Sequence, residues 1–147
     1  MTRYSTSVAT PLPAAEAFAY MSDVTHFVEW DPGVQQAVRV TGDGTSVGTA
    51  YDLTVRAGST TVMRYEVTEY QAPRRILLVA RNRFLTSVDE VRVEPAKSGS
   101  IVTYDAKLTL NGLLGLLDPL LGIVFRRIGD RAAAGLRRVL QGTQVAR

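Results

Sequence analysis

The stretch DPLLGIVFRRIGDRAAAGLRRVL, residues 118–140, decides the fold class of this sequence. Its apolar residues recur every three or four positions, the period of one helix face, and its arginines take the opposite face. We predict a helix over residues 119–141, with Pro119 in the first turn and Asp118 near the N-cap. At ~1.5 Å per residue this helix is about 34 Å long, enough to cross a whole sheet. Its predicted apolar face comprises Leu113, Leu117, Leu120, Leu121, Val124, Ile128, Ala132, Leu136, Val139 and Leu140.

Three glycines in and before this helix, Gly115, Gly122 and Gly129, lie seven positions apart and therefore on nearly one face. Glycine inside a helix costs about 1 kcal/mol relative to alanine, so something should offset that cost. Close packing of the helix on a sheet is the first explanation, and space left for a ligand is the second.

The residues before the helix predict an antiparallel sheet. A strand over 3–10 is followed by two short helical segments, 13–23 and 24–30. Further strands are then separated by short turns, which join antiparallel neighbours, because parallel pairs need long crossovers. We predict these strands over residues 34–42, 49–58, 60–71, 74–83, 84–95 and 100–111. The fold class is therefore α+β, with a curved antiparallel sheet of about seven strands wrapped around the long C-terminal helix.

Composition excludes several kinds of chemistry. The 147 residues suit one domain over 1–147, and the chain has no cysteine and one histidine, His26. Disulfides, thiol nucleophiles and histidine-pair metal sites are therefore not expected, and we predict neither a metal nor a cofactor. The net charge of +3 is mild, and aromatic residues are not interleaved with the arginines of 126–138, so no nucleic-acid partner is expected. The N-terminus lacks the apolar region of a signal peptide, which predicts a cytoplasmic location.

The elements and their local motifs resemble the START-like, or SRPBCC, superfamily with its helix-grip fold, and most closely its polyketide cyclase/dehydrase branch. Four stretches carry the resemblance: VATPLPAAEAFAYMSDVTHFVEWDPGV, YEVTEYQAPRRILL, VRVEPAKSGSIVTYDAKLTLNG and LLDPLLGIVFRRIGDRAAAGLRRVL. They cover nearly the whole chain, in the order of that superfamily. The resemblance implies a cavity between the concave face of the sheet and the long helix. Aromatases, cyclases, lipid carriers and hormone receptors share this fold, so it leaves the activity open.

Strand alternation predicts which side chains face such a cavity, because every second residue of a strand points to the same side. The inward sets are mostly apolar, as in Met63, Tyr65 and Val67. We expect a ligand-binding set of Phe27, Trp30, Tyr51, Leu53, Met63, Tyr65, Arg81, Asp89, Tyr104, Leu108, Leu117, Leu121 and Val124.

Two charged residues stand out in this set. The phase fixed by Val91 and Val93 turns Asp89 inward, whereas the strand that holds Arg81 has two phases, only one of which turns Arg81 inward. If both face the cavity, they form a desolvated ion pair, which is costly unless it is fully hydrogen-bonded or used in function. The alternative is a solvent-exposed pair at the rim of the sheet. The catalytic candidates are Asp89, Arg81, Tyr65 and Tyr104, and the two tyrosines have the alternative role of filling the core.

The segment THFVEWDPGV, residues 25–34, holds both His26 and Trp30. In the superfamily that the chain resembles, this segment lies at one mouth of the cavity. Trp30 is therefore either a lid or wall of the cavity or a plain core residue. We expect His26 to be solvated and dispensable, because Glu29 is the only acidic residue of this segment placed to orient it.

Three classes of function follow from this sequence. The first, which we adopt, is the binding of a hydrophobic small molecule such as a polyketide, lipid or isoprenoid. The second is a cofactor-independent cyclase or dehydratase in which the polar cavity residues guide proton transfer. The third is a membrane-surface or partner-binding module that uses residues 113–125, which are too short to span a bilayer. The oligomeric state is left open.

Overall fold

The computed structural model describes residues 2–57, 59–112 and 118–144. Within these residues, eight strands form one antiparallel sheet in the order β2-β3-β4-β5-β6-β7-β1-β8. The strands are β1 (Thr2–Thr10), β2 (Val34–Thr41), β3 (Ala50–Ala57), β4 (Ser59–Gln71), β5 (Arg75–Arg81), β6 (Leu85–Ala96), β7 (Gly99–Leu110) and the two-residue β8 (Thr143–Gln144). The predicted antiparallel sheet of about seven strands is confirmed, with the short β8 added at its edge.

The helices also match the prediction. α1 (Ala14–Ser22), a 3₁₀ turn (Val24–His26) and α2 (Phe27–Trp30) follow β1, and α3 (Asp118–Val139) is the long C-terminal helix. The fold is therefore the helix-grip arrangement, in which the sheet curves around α3. None of the described helices has the length and apolar character needed to cross a bilayer.

The helices cover only part of the concave face of the sheet. α1 packs on β6 and β7, and α3 packs on β1 and α2. The core beneath α1 includes Ile76, Val91 and Val93, each almost fully buried. The inner residues at one end of β3 and β4 line a cavity beneath α3.

The register between β5 and β6 settles the directions of Asp89 and Arg81. Leu78 lies opposite Asp89, and these two residues are buried on the inner face. Arg81 lies opposite Thr86 and is exposed. Because directly opposed residues of an antiparallel pair share a face, the phase that turns Arg81 inward is wrong, and no ion pair forms between Arg81 and Asp89.

Charged pairs lie on the outer face of the sheet instead. Arg3 donates two hydrogen bonds to Asp105, at 2.6 and 3.0 Å, although Asp105 is itself buried. Arg64 pairs with Asp52 on the neighbouring strand in the same bidentate manner. Because successive side chains of a strand point to opposite faces, these charges are separated from the inner face by the sheet itself.

Two glycines allow α3 to approach its supports closely. A Cβ built on Gly135 would lie 1.9 Å from the carbonyl oxygen of Trp30, and one built on Gly129 would lie 2.4 Å from the ring of Tyr4. Close packing, the first of the two predicted explanations, therefore holds at Gly129. Among the described residues, a Cβ on Gly122 would meet only the Thr2 Oγ1 at 4.0 Å, and Gly115 lies outside the described residues.

We predict opposite effects on stability for alanine at two of these positions. Gly135→Ala should lower the free energy of unfolding by about 2 kcal/mol or more, because the backbone of Trp30 must shift to make room. Gly122→Ala should raise it by up to ~1 kcal/mol, because alanine favours the helix and no described residue blocks its methyl group. Urea unfolding of both variants is the measurement, and equal effects would contradict the close approach of α3 to Trp30.

Candidate functional site

A cavity of about 250 Å³ lies between α3 and the concave face of the sheet. Its apolar wall comes from β3, β4, β6, β7 and α3. The side chains that form this wall include Leu53, Val55, Met63, Leu85, Leu108 and Phe125. Alternation explains the strand positions, because residues two apart on a strand present their side chains to the same space.

Along β6, the wall of the cavity changes from apolar to polar with depth. Along β6, the inner residues run from Leu85, which is half-buried, through Ser87 to Asp89, which is only 5% exposed. Four residues of strand separate Leu85 from Asp89, a distance of about 13 Å. The cavity therefore has a polar inner end at Asp89, while its outer part is lined by apolar residues such as Leu85 together with the exposed Ser59 and Thr61.

Asp89 is the centre of a hydrogen-bonded group at this inner end. Tyr104 donates its hydroxyl proton to Asp89 Oδ2 at 2.6 Å, and the Ser87 hydroxyl donates to Asp89 Oδ1 at 3.0 Å. The Tyr65 hydroxyl donates in turn to Ser87 Oγ at 3.2 Å. These four side chains line the cavity and belong to β4, β6 and β7.

Burial governs the protonation of this group. Loss of solvent raises the pKa of Asp89 to about 6, although the hydrogen bonds from Tyr104 and Ser87 act in the opposite direction. Burial and the nearby Asp89 carboxylate raise the pKa values of Tyr65 and Tyr104 as well, so both phenols remain protonated hydrogen-bond donors. Asp89 thus titrates close to neutral pH, where it can exchange a proton.

A second carboxylate, Asp31, lines the cavity immediately after α2. Its Oδ1 accepts a hydrogen bond from the Gly33 amide at 2.9 Å, and burial raises the pKa of Asp31 to about 6 against the lowering effect of that bond. The sequence predicts a turn at Asp31-Pro32-Gly33, and Asp31 is absent from the predicted site. The position of Asp31 beside Trp30 is the only local feature of the sequence that indicates a site residue, because the burial of Asp31 depends on α3, which is distant in the chain.

Seven residues of the predicted ligand-binding set lie on the cavity wall: Phe27, Leu53, Met63, Tyr65, Asp89, Tyr104 and Leu108. Whether they contact a ligand stays a prediction. Two further residues cannot be compared, because Leu117 and the side chain of Leu121 lie outside the described part of the structure. The sequence missed Phe125, which reaches the cavity from α3.

Four predicted residues lie elsewhere. Arg81 is on the outer face because of the register between β5 and β6. Val124 is 46% exposed, because Phe125 and Ile128, rather than Val124, lie on the inner face of α3. Tyr51 is buried at the other end of β3, away from the cavity, which begins at Leu53.

The fourth is Trp30. Of its two predicted roles, lid or wall of the cavity and plain core residue, the structure shows the core residue. It is 1% exposed and packs against Phe27 and Tyr104, with ring centroids 4.6 and 5.1 Å apart. It supports the cavity wall from behind, and its indole Nε1 has no hydrogen-bond partner among the described residues.

His26 lies outside the cavity wall. Its ring stacks on Tyr20 at 4.5 Å, its Nδ1 donates to the Tyr20 carbonyl oxygen at 2.8 Å, and its Nε2 lies 3.5 Å from Asp23 Oδ2. The expected solvated ring is therefore half-buried, and Asp23 rather than Glu29 is its acidic neighbour. The described residues contain no cluster of three or more histidine, aspartate or glutamate side chains placed to hold a metal ion.

Comparisons with known proteins identify a family and similar folds. The family described as "Polyketide cyclase / dehydrase and lipid transport" matches residues 1–141. A START superfamily protein from Mycobacterium smegmatis has a similar structure, with a TM-score of 0.78 and 14% identity over 96% of this chain and 98% of that one. The protein TTHA0849 from Thermus thermophilus has a TM-score of 0.75 and 16% identity over 95% of this chain and 96% of its own.

A third similar structure is the di-domain ARO/CYC StfQ from the steffimycin biosynthetic pathway. It has a TM-score of 0.62 and 12% identity, and the match covers 93% of this chain and 51% of StfQ. At these identities the solved structures show the fold alone. No curated protein matches the sequence significantly.

We predict that the carboxyl of Asp89 titrates near pH 6 when it is followed by ¹³C NMR. Asp43 is an internal control in the same spectra, because hydrogen bonds from Thr45 and Ser46 lower its pKa below the usual value. If Asp89 titrated in the ordinary range of an exposed aspartate, about 3.9, its burial in the cavity would be disproved.

The same titration predicts how stability depends on pH. The pKa of Asp89 rises from 3.8 to about 6 on folding, so the folded state retains a proton that the unfolded state has lost between these values. The free energy of unfolding should therefore fall as the pH rises through this window, by about 3 kcal/mol for two pKa units. Asp89→Asn should remove this contribution to the loss and be more stable than the wild type at pH ~7, whereas the contribution of Asp31, whose pKa burial also raises to about 6, should remain. Unfolding in urea at several pH values measures how the free energy of unfolding of both proteins depends on pH.

Proposed function

Because the chain belongs to the polyketide cyclase/dehydrase and lipid transport family, we propose that it binds a hydrophobic small molecule in the cavity beneath α3. The observation that carries this proposal is the apolar wall that β3, β4, β6, β7 and α3 build around a space of about 250 Å³. Burial of apolar ligand surface against such a wall contributes about 25 cal/mol per Å². The family match and the similar START fold support the same conclusion.

The cavity volume limits the ligand. Binding pockets for drug-sized molecules usually hold ~300–1,000 Å³, so a space of about 250 Å³ suits a small molecule. A medium-length alkyl chain or a compact ring system is therefore the expected ligand size.

We predict that a neutral solvatochromic dye binds the wild-type protein in the micromolar range, about −8 kcal/mol. Val55→Phe should weaken binding at least ~10-fold, because the larger ring fills the cavity. Val62→Phe is the matched control, since Val62 lies on the neighbouring strand but points outward and is 59% exposed. Fluorescence titration of the three proteins measures the affinities. Equal affinities, or no binding to the wild type, would contradict the proposal.

A second candidate function, a cyclase or dehydratase, is favoured by the short hydrogen bond between Tyr104 and Asp89 inside the cavity. Asp89 can accept a proton from the carbon between two carbonyl groups of a bound substrate. The resulting enolate carbon attacks another carbonyl carbon and forms the new C–C bond. Protonated Asp89 then returns its proton to the alkoxide, so the residue is unchanged at the end of the reaction.

The enzyme hypothesis predicts a separation of turnover from binding. With a short poly-β-ketone thioester followed by mass spectrometry, Asp89→Asn should lower turnover ~100-fold or more. Its affinity for the neutral dye should change less than ~3-fold. His26→Ala should retain the wild-type turnover, because His26 is not on the cavity wall. Wild-type turnover in Asp89→Asn would exclude Asp89 as the base, and loss of turnover in His26→Ala would place the chemistry elsewhere.

A further inference from the structure

The inner end of the cavity is rich in hydrogen-bond acceptors. An ionised carboxylate offers about four acceptor positions, and Asp89 receives hydrogen bonds only from Tyr104 and Ser87 among the described residues. Asp31, the other carboxylate of the cavity, receives one from the Gly33 amide. Acceptor capacity is therefore left over at both carboxylates in the described structure.

No cation compensates these two carboxylates from the cavity wall. None of the described residues that line the cavity is an arginine, a lysine or a histidine. Arg81 faces outward, and Arg3 is engaged by Asp105 on the other side of the sheet. A desolvated negative charge without a positive partner is costly, so a ligand that supplies positive charge or donors binds favourably here.

We propose that the cavity selects hydrophobic ligands whose polar end donates hydrogen bonds, an alkylammonium above all, and that it discriminates against carboxylates. This inference rests on the proposed function, because it assumes that the cavity is the ligand site. The ligand enters with its polar group towards Asp89, and its alkyl part lies against Val55, Leu85 and Leu108 in the outer part of the cavity. Discrimination arises because a carboxylate brought to Asp89 is a like charge in a poorly solvated site.

The charged and titratable groups around Asp89 agree with this selection. Asp31 faces the cavity from the segment after α2, and Tyr65 and Tyr104 face it from β4 and β7. Across the sheet, Asp105 adds a further negative charge, which Arg3 pairs. Two arginines, Arg56 and Arg131, border an adjoining depression beside Pro32 and Gly33, which shares Ile128 with the cavity.

The pH dependence of binding follows from the ionisation of the two carboxylates. Both ionise around pH 6, so the affinity for an alkylammonium should rise between about pH 5 and pH 8, while the amine stays protonated. The affinity for an alkyl carboxylate should fall over the same range. A neutral alcohol of the same length should change little.

Three ligands with the same alkyl chain test the proposal: octylamine, octan-1-ol and octanoate. Isothermal titration calorimetry with the wild-type protein at about pH 7.5 should show octylamine binding at least ~10-fold tighter than octanoate, with octan-1-ol between them. Asp89→Asn should remove most of the preference for octylamine and change the octan-1-ol affinity less than ~3-fold. Asp31→Asn should reduce the preference as well. Glu66→Gln, which removes an exposed charge on the outer face of β4, is the control and should keep the preference.

The outcomes separate the two proposals. If octan-1-ol binds but octanoate binds as tightly as octylamine, the selection for donors is disproved while hydrophobic binding stands. The same conclusion follows if Asp89→Asn and Asp31→Asn both retain the full preference for octylamine. Tight octanoate binding that is lost in Arg131→Gln would place an anion site at the depression and would also disprove the selection. If none of the three ligands and no neutral dye binds, hydrophobic binding itself is disproved.

Discussion

The packing of α3 against α2 and β1 is the constraint on which the rest of the structure depends. Gly135 brings the helix against the backbone of Trp30, and Gly129 brings it against the ring of Tyr4. Arg138 adds a hydrogen bond to the Glu29 carbonyl oxygen at 2.7 Å. The helix is thus fixed along its C-terminal half to one side of the concave face. In the earlier part of the helix, Phe125 and Ile128 line the cavity, which is the space that remains between the helix and the sheet.

The position of the cavity explains why its carboxylates matter. A strand that crosses from the filled core into an empty space normally carries apolar inner residues, as β4 does with Met63 and Val67. Asp89 breaks this pattern at the boundary, where only hydroxyl groups of the described residues meet it. Its desolvation opposes folding at neutral pH, and a sequence that breaks a local rule at such a cost is typical of a functional site. Binding and proton transfer both use the same property, a carboxylate that is held out of water.

The sequence predicts those parts of this arrangement that depend on local patterns alone. The long β6, with Val91 and Val93, fixed the inward direction of Asp89, whereas residues 76–80 of β5 are all apolar and have no alternation, so only strand pairing could orient Arg81. The apolar run 123–125 likewise leaves the phase of α3 ambiguous, so the sequence alone does not distinguish Val124 from Phe125 as the residue that faces the cavity. The burial of Asp31 depends on where α3 packs, and no local pattern of the sequence predicts the position of α3.

The central claim is that a hydrophobic ligand occupies the space between α3 and the concave face of the sheet. Intermolecular nuclear Overhauser effects from the alkyl chain of a bound ligand test this claim most directly. We expect them to connect the chain to side chains of the apolar wall, among them Val55, Leu85 and Leu108. Contacts to outward-facing residues such as Val62 and Val88, with none to the wall, would contradict the account.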